Sequence, residues 1–298
     1  MTKQLEGVFA PVVTTFYAET GEVDVASFAA NVRAHLTAGL HGIVVTGSTG
    51  EAALLDSDER CALVDAAREM IPRERWLIVG TGAESTRTCI KLTKDAASRG
   101  ADAALVVAPH YYGSAMTGAA LRQHYHRVAD ESPVPVMLYN IPKYMHFALG
   151  ADLVAELAEH ENVIGIKDSS GNRELFATYM PAQSPTFSVI TGNAQMFQHA
   201  LATGARGGIL AGSLFTPGLA LEIYDAMRRG DQAAADAAQA RFTPLGAKIV
   251  GELGVPGVKA AMDLAGLAGG PVRSPLMPLG REQAAVVDEL MRPELVSA

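Results

Sequence analysis

The segment NVIGIKDSSG, residues 162–171, contains an apolar run that ends in a lysine and is followed by small polar residues. Its apolar part does not alternate with polar residues, which is typical of a strand buried on both faces of a parallel sheet. Similar short runs occur along the whole chain, and alanine-rich stretches with helical periodicity separate them. We therefore predict a chain of alternating strands and helices, with residues 163–167 forming one strand.

The complete pattern predicts an α/β fold of the TIM (β/α)8 barrel type, because it contains eight strands that are each followed by a helix. The predicted strands are residues 8–14, 42–46, 76–81, 103–107, 135–139, 163–167, 187–191 and 207–210. Residue types that favour helix N-termini precede four of the helical stretches, at Asp24, Ser57, Ser85 and Thr117.

Residues after position 230 show helical periodicity only, with breaks predicted at 254–256 and 269–278. We expect about three C-terminal helices that pack on the barrel. The predicted domain organisation is a barrel with the active site in residues 1–230 and a helical extension in residues 231–298.

The composition excludes several classes of protein. The 298 residues are 49% apolar and 19% charged, which is too apolar for a disordered chain. The formal net charge is −8 and the basic residues are scattered, so we expect no nucleic-acid partner. No apolar stretch reaches the ~18 residues of a membrane span, and the N-terminus does not resemble a signal peptide, so we expect a cytoplasmic protein.

Metal binding is also not expected, because the sequence contains no recognised metal-binding motif. The two cysteines lie far apart, and His124 and His126 point in different directions on one predicted helix. We predict no metal and no organic cofactor.

Lys167 is the strongest candidate for a catalytic residue, because it alone among seven lysines ends an apolar strand. Active sites of TIM barrels form at these strand ends. Gly165 points the same way in a strand and is expected to leave room beneath the lysine. Apolar surroundings disfavour the charged form of an amine, and a neutral amine can form a Schiff base with a ketone. The alternative is a lysine that reaches solvent or pairs with Asp168.

Two further groups at the strand ends suggest acid–base chemistry and anion binding. Tyr139 ends the neighbouring strand, where its hydroxyl can move protons, although a core tyrosine is the alternative. Residues 47–51 supply the hydroxyls of Ser48 and Thr49 and several main-chain N–H groups, a combination that can bind a carboxylate without a cation.

Phosphate is the rival ligand. The glycine-rich stretch 207–213 resembles a barrel phosphate site, with Arg206 as its only nearby basic residue.

The motifs GSTGE (47–51), YNIP (139–142) and GIKDSSG (165–171) occur together and in order. Over residues 7–278 the chain resembles the superfamily of N-acetylneuraminate lyase and dihydrodipicolinate synthase, which are class I pyruvate-dependent aldolases. The resemblance implies that Lys167 forms an imine with pyruvate and that Tyr139 moves protons. It also implies that Ser48 and Thr49, with Gly47, bind the pyruvyl carboxylate.

The same resemblance implies an assembly. Family members are commonly homotetramers built as dimers of dimers, in which a tyrosine at the position of Tyr111 enters the neighbouring subunit's site. We therefore expect a homotetramer in which Tyr139 acts with Thr49 and Tyr111 in proton transfer.

The second substrate is predicted from finer likeness. Dihydrodipicolinate synthases resemble this chain but carry an arginine where Tyr144 stands, and sialate lyases carry acidic residues where Ala194 and Gln195 stand. Several segments look most like 4-hydroxy-2-oxoglutarate aldolases, among them 254–276. We therefore predict cleavage of 4-hydroxy-2-oxoglutarate to pyruvate and glyoxylate. The predicted contacts to the rest of the substrate are Ser169, Asn193 and Ile209.

Two alternatives remain open at this point. The nearer one is dihydrodipicolinate synthase, which condenses pyruvate with aspartate semialdehyde. The more distant one is a catalytically silent barrel that binds keto acids.

Overall fold

The structure, a computed structural model, describes residues 3–296 and contains a closed barrel of eight parallel strands. Each strand pairs with its neighbours in the chain, and the last strand pairs with the first. The strands are β1 Gly7–Pro11, β2 Gly42–Val45, β3 Trp76–Gly80, β4 Ala103–Val107, β5 Val136–Asn140, β6 Val163–Asp168, β7 Ser188–Thr191 and β8 Gly207–Ile209. All eight predicted strands are therefore confirmed, with ends that differ by a few residues.

Helices surround the barrel and follow it in the chain. They are α1 Val25–Thr37, α2 Ser57–Met70, α3 Thr86–Ser98, α4 Gly118–Glu131, α5 Pro142–Met145, α6 Ala151–Leu157, α7 Arg173–Tyr179, α8 Phe197–Ala202, α9 Pro217–Arg229, α10 Gln232–Pro244, α11 Gly254–Leu264 and α12 Arg281–Val296. A π-helix, Leu245–Glu252, continues α10 and leads into α11. No helix within residues 3–296 is long and apolar enough to cross a lipid bilayer.

The predicted helix starts are confirmed at three of four positions. The side chains of Asp24, Ser85 and Thr117 each accept a hydrogen bond from a main-chain N–H in the first turn. The prediction for Ser57 is wrong by one residue. Asp56 caps α2, because its carboxylate accepts from the Glu59 N–H while the Glu59 carboxylate accepts from the Asp56 N–H.

The C-terminal extension consists of α10 with its π-helix, α11 and α12. The predicted break at 254–256 is confirmed to within two residues, because the π-helix ends at Glu252 and α11 begins at Gly254, whose φ is 65°. Pro256 lies in the first turn of α11, where a missing N–H costs little. The predicted break at 269–278 is confirmed, since residues 265–280 form an irregular segment. Apolar residues of the extension, including Phe242 and Ile249, belong to the same buried cluster as residues of the barrel strands.

A buried ion pair joins the extension to the barrel. Lys259 in α11 lies 2.6 Å from the Glu51 carboxylate, and both side chains are almost fully excluded from solvent. Lys259 also donates to the Pro271 carbonyl, while the Arg273 N–H donates to Glu51. Burial lowers the pKa of Lys259, and the Glu51 carboxylate opposes that shift. The loop that contains Ser48 and Thr49 is thus held by the C-terminal segment.

We predict that Lys259→Met lowers the free energy of unfolding by ~3–5 kcal/mol, because it leaves the Glu51 carboxylate buried without its cation. The double variant Glu51→Gln/Lys259→Met should recover part of this loss. Urea denaturation measures both. Lys248→Met is the matched control, since Lys248 forms an exposed pair with Glu252 that is worth less than ~1 kcal/mol. A loss in Lys259→Met no larger than in the control contradicts the prediction.

We predict that the buried His35 in α1 makes the folded protein less stable in mild acid. Its side chain is 1% exposed, its Nε2 has no hydrogen-bond partner, and burial lowers its pKa to about 4. An unfolded histidine titrates near pH ~6.5. As the pH falls from ~6.5 to ~4, the unfolded chain binds a proton that the folded chain does not, which destabilises the fold by ~3 kcal/mol.

Denaturation of the parent and His35→Leu across this pH range measures the effect. The variant should lose less stability than the parent on acidification, and the difference between the two proteins should be constant above pH ~7.5. Parallel pH curves would show that His35 does not contribute to acid sensitivity.

Candidate active site

Lys167 lies in β6, and its side chain lines a cavity of about 150 Å³ at the carboxyl ends of the strands. The side chain is buried, and its Nζ lies 4.1 Å from the centroid of the Tyr139 ring. Within residues 3–296, Nζ makes no hydrogen bond and no ion pair. The alternative in which Lys167 pairs with Asp168 is therefore wrong, and the amine is left for a ligand.

Asp168 instead holds the ends of β5 and β6 together. Its carboxylate accepts from the Asn140 side chain at 2.8 Å and from the Ser170 hydroxyl at 2.7 Å. Burial raises the pKa of Asp168, and the hydrogen bonds oppose this shift. Asn140 and Asp168 are directly paired across the two strands, as are Tyr139 and Lys167. The polar contact thus keeps the phenol ring beside the amine.

Gly192 provides the space that Lys167 needs. A Cβ at residue 192 would lie 2.7 Å from Cε of Lys167 and 1.9 Å from Oγ of Ser169. The expectation that Gly165 leaves this room is wrong. A Cβ at Gly165 would lie 2.4 Å from the Ser188 carbonyl oxygen, so this glycine allows the close approach of β7.

The loop after β2 presents hydrogen-bond donors to the cavity. Ser48 and Thr49 line it, and within the described residues neither their hydroxyls nor their main-chain N–H groups have an acceptor. The loop is bounded by Thr46 and Glu51, whose φ angles of 52° and 55° are unusual for residues other than glycine. Free donors on a fixed loop can bind an anion without a basic side chain.

Most of the predicted site residues meet at this cavity. Those that line it are Lys167, Tyr139, Ser48, Thr49, Ser169, Asn193 and Ile209. Gly47 and Tyr111 are not among the lining residues. The Gly47 carbonyl accepts the Gly50 N–H, whereas Tyr111 is 77% exposed on the loop after β4.

Tyr111 has a defined position on this exposed loop. Its main-chain N–H donates to the Glu84 carboxylate at 2.8 Å, and its ring makes an edge contact with Tyr112. Tyr111 is therefore an exposed residue that does not line the cavity of its own chain.

Part of the cavity wall comes from α5 and the C-terminal extension, and of this part only the position of Tyr144 was indicated by the sequence. Lys143 and Tyr144 line the cavity, and so do the π-helix and α11 through Gly246, Val250, Gly251, Gly254, Val255 and Val258. Burial raises the pKa of Tyr144. A Cβ at Gly246 would lie 2.7 Å from Cβ of Ala194, so the π-helix approaches the loop after β7 closely. The small residues of the extension are visible in the sequence and are compatible with close packing. They do not indicate which loop of the barrel they contact.

The rival phosphate site lacks free space. A Cβ at Gly207 would lie 1.9 Å from the Gly7 carbonyl oxygen, and one at Gly212 would lie 2.7 Å from the Phe242 ring. These glycines therefore allow close packing, and Arg206 donates to the Ser184 carbonyl. In the part of the chain that the structure describes, no group of three or more His, Cys, Asp or Glu residues is placed to hold a metal ion.

Comparisons with known proteins show the family to which the chain belongs. Residues 4–293 match the Dihydrodipicolinate synthetase family. The chain is 35% identical over 273 residues to the 4-hydroxy-tetrahydrodipicolinate synthase of Methanoculleus marisnigri, covering 91% of this chain and 93% of that protein.

Two crystal structures are similar over almost their whole length. One is a dihydrodipicolinate synthase from Bacillus anthracis, with a TM-score of 0.93 and 29% identity over 98% of this chain and 99% of that one. The other is a prophage protein of the dihydrodipicolinic acid synthase family from E. coli K12, in complex with pyruvate, with a TM-score of 0.92 and 29% identity over 99% of both chains. The chain described here therefore belongs to the dihydrodipicolinate synthetase family, as a class I lyase with a TIM barrel.

Proposed function

We propose that the chain forms an imine between Lys167 and pyruvate and makes or breaks a carbon–carbon bond to an aldehyde. The observation that carries this proposal is the buried Lys167 amine, which has no partner in the described residues and lies against the Tyr139 ring. The free donors of Ser48 and Thr49 at the same cavity suit the pyruvyl carboxylate.

In the condensation direction, the Lys167 nitrogen adds to the ketone carbon of pyruvate, and loss of water gives the imine. Removal of a methyl proton then gives an enamine, whose terminal carbon attacks the aldehyde carbon. The aldehyde oxygen takes a proton from Tyr139, relayed through Thr49 and the Tyr111 of a neighbouring subunit. Hydrolysis of the imine releases the product and restores the amine, and cleavage runs through the same steps in reverse.

The names of the relatives favour aspartate semialdehyde over glyoxylate as the aldehyde substrate. Several curated relatives are 4-hydroxy-tetrahydrodipicolinate synthases, which favours condensation with aspartate semialdehyde over the predicted cleavage of 4-hydroxy-2-oxoglutarate. The second reaction remains a candidate because Tyr144 lines the cavity and cannot offer the bidentate cation of an arginine. In either reaction Ser169, Asn193 and Ile209 would contact the distal part of the substrate.

We also propose that the chain assembles as a homotetramer, a dimer of dimers, and works in the cytoplasm. Support for the assembly comes from Tyr111 and Tyr112, which are 77% and 69% exposed and form one aromatic pair. Exposed aromatic pairs of this kind are typical of protein interfaces. In such an assembly Tyr111 would complete the proton relay of the partner's site.

The imine predicts a covalent adduct. Treatment with pyruvate and borohydride should add the mass of one reduced pyruvyl group per chain at Lys167, as measured by intact-protein and peptide mass spectrometry. Lys167→Arg should remove the adduct and lower turnover by at least about a thousandfold, because guanidinium is not a nucleophile. Lys248→Arg, at an exposed lysine, is the control and should keep both. A Lys167→Arg protein with parental turnover would exclude the proposal.

The identity of the aldehyde predicts a second result. We expect the chain to condense pyruvate with aspartate semialdehyde faster than it converts 4-hydroxy-2-oxoglutarate to pyruvate and glyoxylate. A coupled assay measures the two rates. The opposite order would assign the chain to the aldolase reaction. A chain that turns over neither pair and gains no borohydride adduct is the silent keto-acid binder.

A further inference from the structure

We propose that Lys143 binds a carboxylate of the acceptor aldehyde and thereby restricts this enzyme to anionic acceptors. The proposal rests on the proposed function, since it concerns the second substrate of the same cavity. It names a specificity residue on α5, outside the barrel strands.

The described side chains that line the cavity include basic residues and no acidic ones. Among the described residues that line the cavity there are two lysines, Lys143 and Lys167, and no aspartate or glutamate. The charged residues of the cavity wall are thus all basic, although the chain has a net charge of −8. Because the Lys167 nitrogen is used for the covalent bond to pyruvate, Lys143 is the lysine of the cavity wall that is left for a second anionic group.

The position of Lys143 is the second observation. It follows Tyr139 by four residues, in the short helix α5 that begins directly after β5. Its Nζ donates to the Gly251 carbonyl at 2.8 Å and lies 5.8 Å from the Tyr144 ring. Lys143 is an exposed residue, and the hydrogen bond to the π-helix keeps its Nζ at the cavity wall, so less side-chain freedom is lost when a ligand binds.

The ammonium of Lys143 has donors to spare. An ammonium carries three N–H groups, and within residues 3–296 that of Lys143 makes one hydrogen bond and no ion pair. Glu252 follows Gly251 directly, but its carboxylate is bound by Lys248 at 2.8 Å. Lys143 is therefore not neutralised by the nearest acidic residue of the π-helix, and its two remaining donors suit a carboxylate.

A purely structural role is the competing explanation, in which Lys143 only ties α5 to Gly251. That role predicts equal effects of a Lys143 variant on all acceptors. Binding of a carboxylate predicts a loss confined to acceptors that carry one. The charge of the acceptor therefore separates the two explanations.

The experiment compares kcat/KM for pairs of aldehydes of equal length, with pyruvate saturating. Glyoxylate is paired with glycolaldehyde, and succinate semialdehyde with butanal. In the parent, kcat/KM should be higher for the anionic acceptor than for the neutral one. The ratio of these two kcat/KM values should fall by about tenfold or more in Lys143→Gln, which is the usual effect of losing a hydrogen bond to a charged group. Lys143→Arg should recover most of the ratio, and Lys248→Gln should keep the parental ratio.

Two results overturn the inference, and a third separates it from the proposed function. A parent without preference for the anion, or a Lys143→Gln protein with an unchanged ratio, excludes binding of the carboxylate by Lys143. Borohydride trapping with pyruvate alone reports the imine without any acceptor. An adduct with an unchanged ratio overturns only the role of Lys143, whereas a missing adduct in the parent overturns the proposed function and this inference with it.

Discussion

The buried pair of Glu51 and Lys259 is the interaction on which the rest of the site depends. Desolvating two charges is costly, and further hydrogen bonds offset part of that cost. Here the Pro271 carbonyl accepts from Lys259 and the Arg273 N–H donates to Glu51, and both belong to the segment after α11. The pair therefore fixes the loop of Ser48 and Thr49 relative to the C-terminal extension, although the two are more than 200 residues apart.

A second buried polar contact, between Asn140 and Asp168, positions the opposite side of the cavity. It holds β5 and β6 in register at their ends, where Tyr139 faces Lys167. Neither Asn140 nor Asp168 lines the cavity, and both are fully buried. The groups that would meet the substrate are thus held by neighbours that do not touch it, an arrangement that leaves little reorganisation to the moment of reaction.

Much of this could be predicted from the sequence because local patterns determine it. Uninterrupted apolar runs indicate the strands, and barrel topology then brings their carboxyl ends together, so Lys167 and Tyr139 are found without knowledge of any contact. Packing over long distances was not predictable. Gly165 and Gly192 are both compatible with space for a lysine, and only the approach of β7 shows that Gly192 provides it. Lys259 similarly appears as an ordinary helical lysine until α11 packs against Glu51.

The same limit explains why Lys143 and the residues of the C-terminal extension in the cavity wall could not be predicted from the sequence. β5, β6 and the loop after β2 supply the groups proposed to bind pyruvate, and α5, the π-helix and α11 form much of the remaining wall. π-Helical turns occur often at functional sites, and this one brings the Gly251 carbonyl to Lys143. A lysine is a point charge on a flexible stem and does not impose the planar geometry of an arginine. If Lys143 binds the acceptor as proposed, the site would therefore select an acceptor by its charge more than by the orientation of its carboxylate.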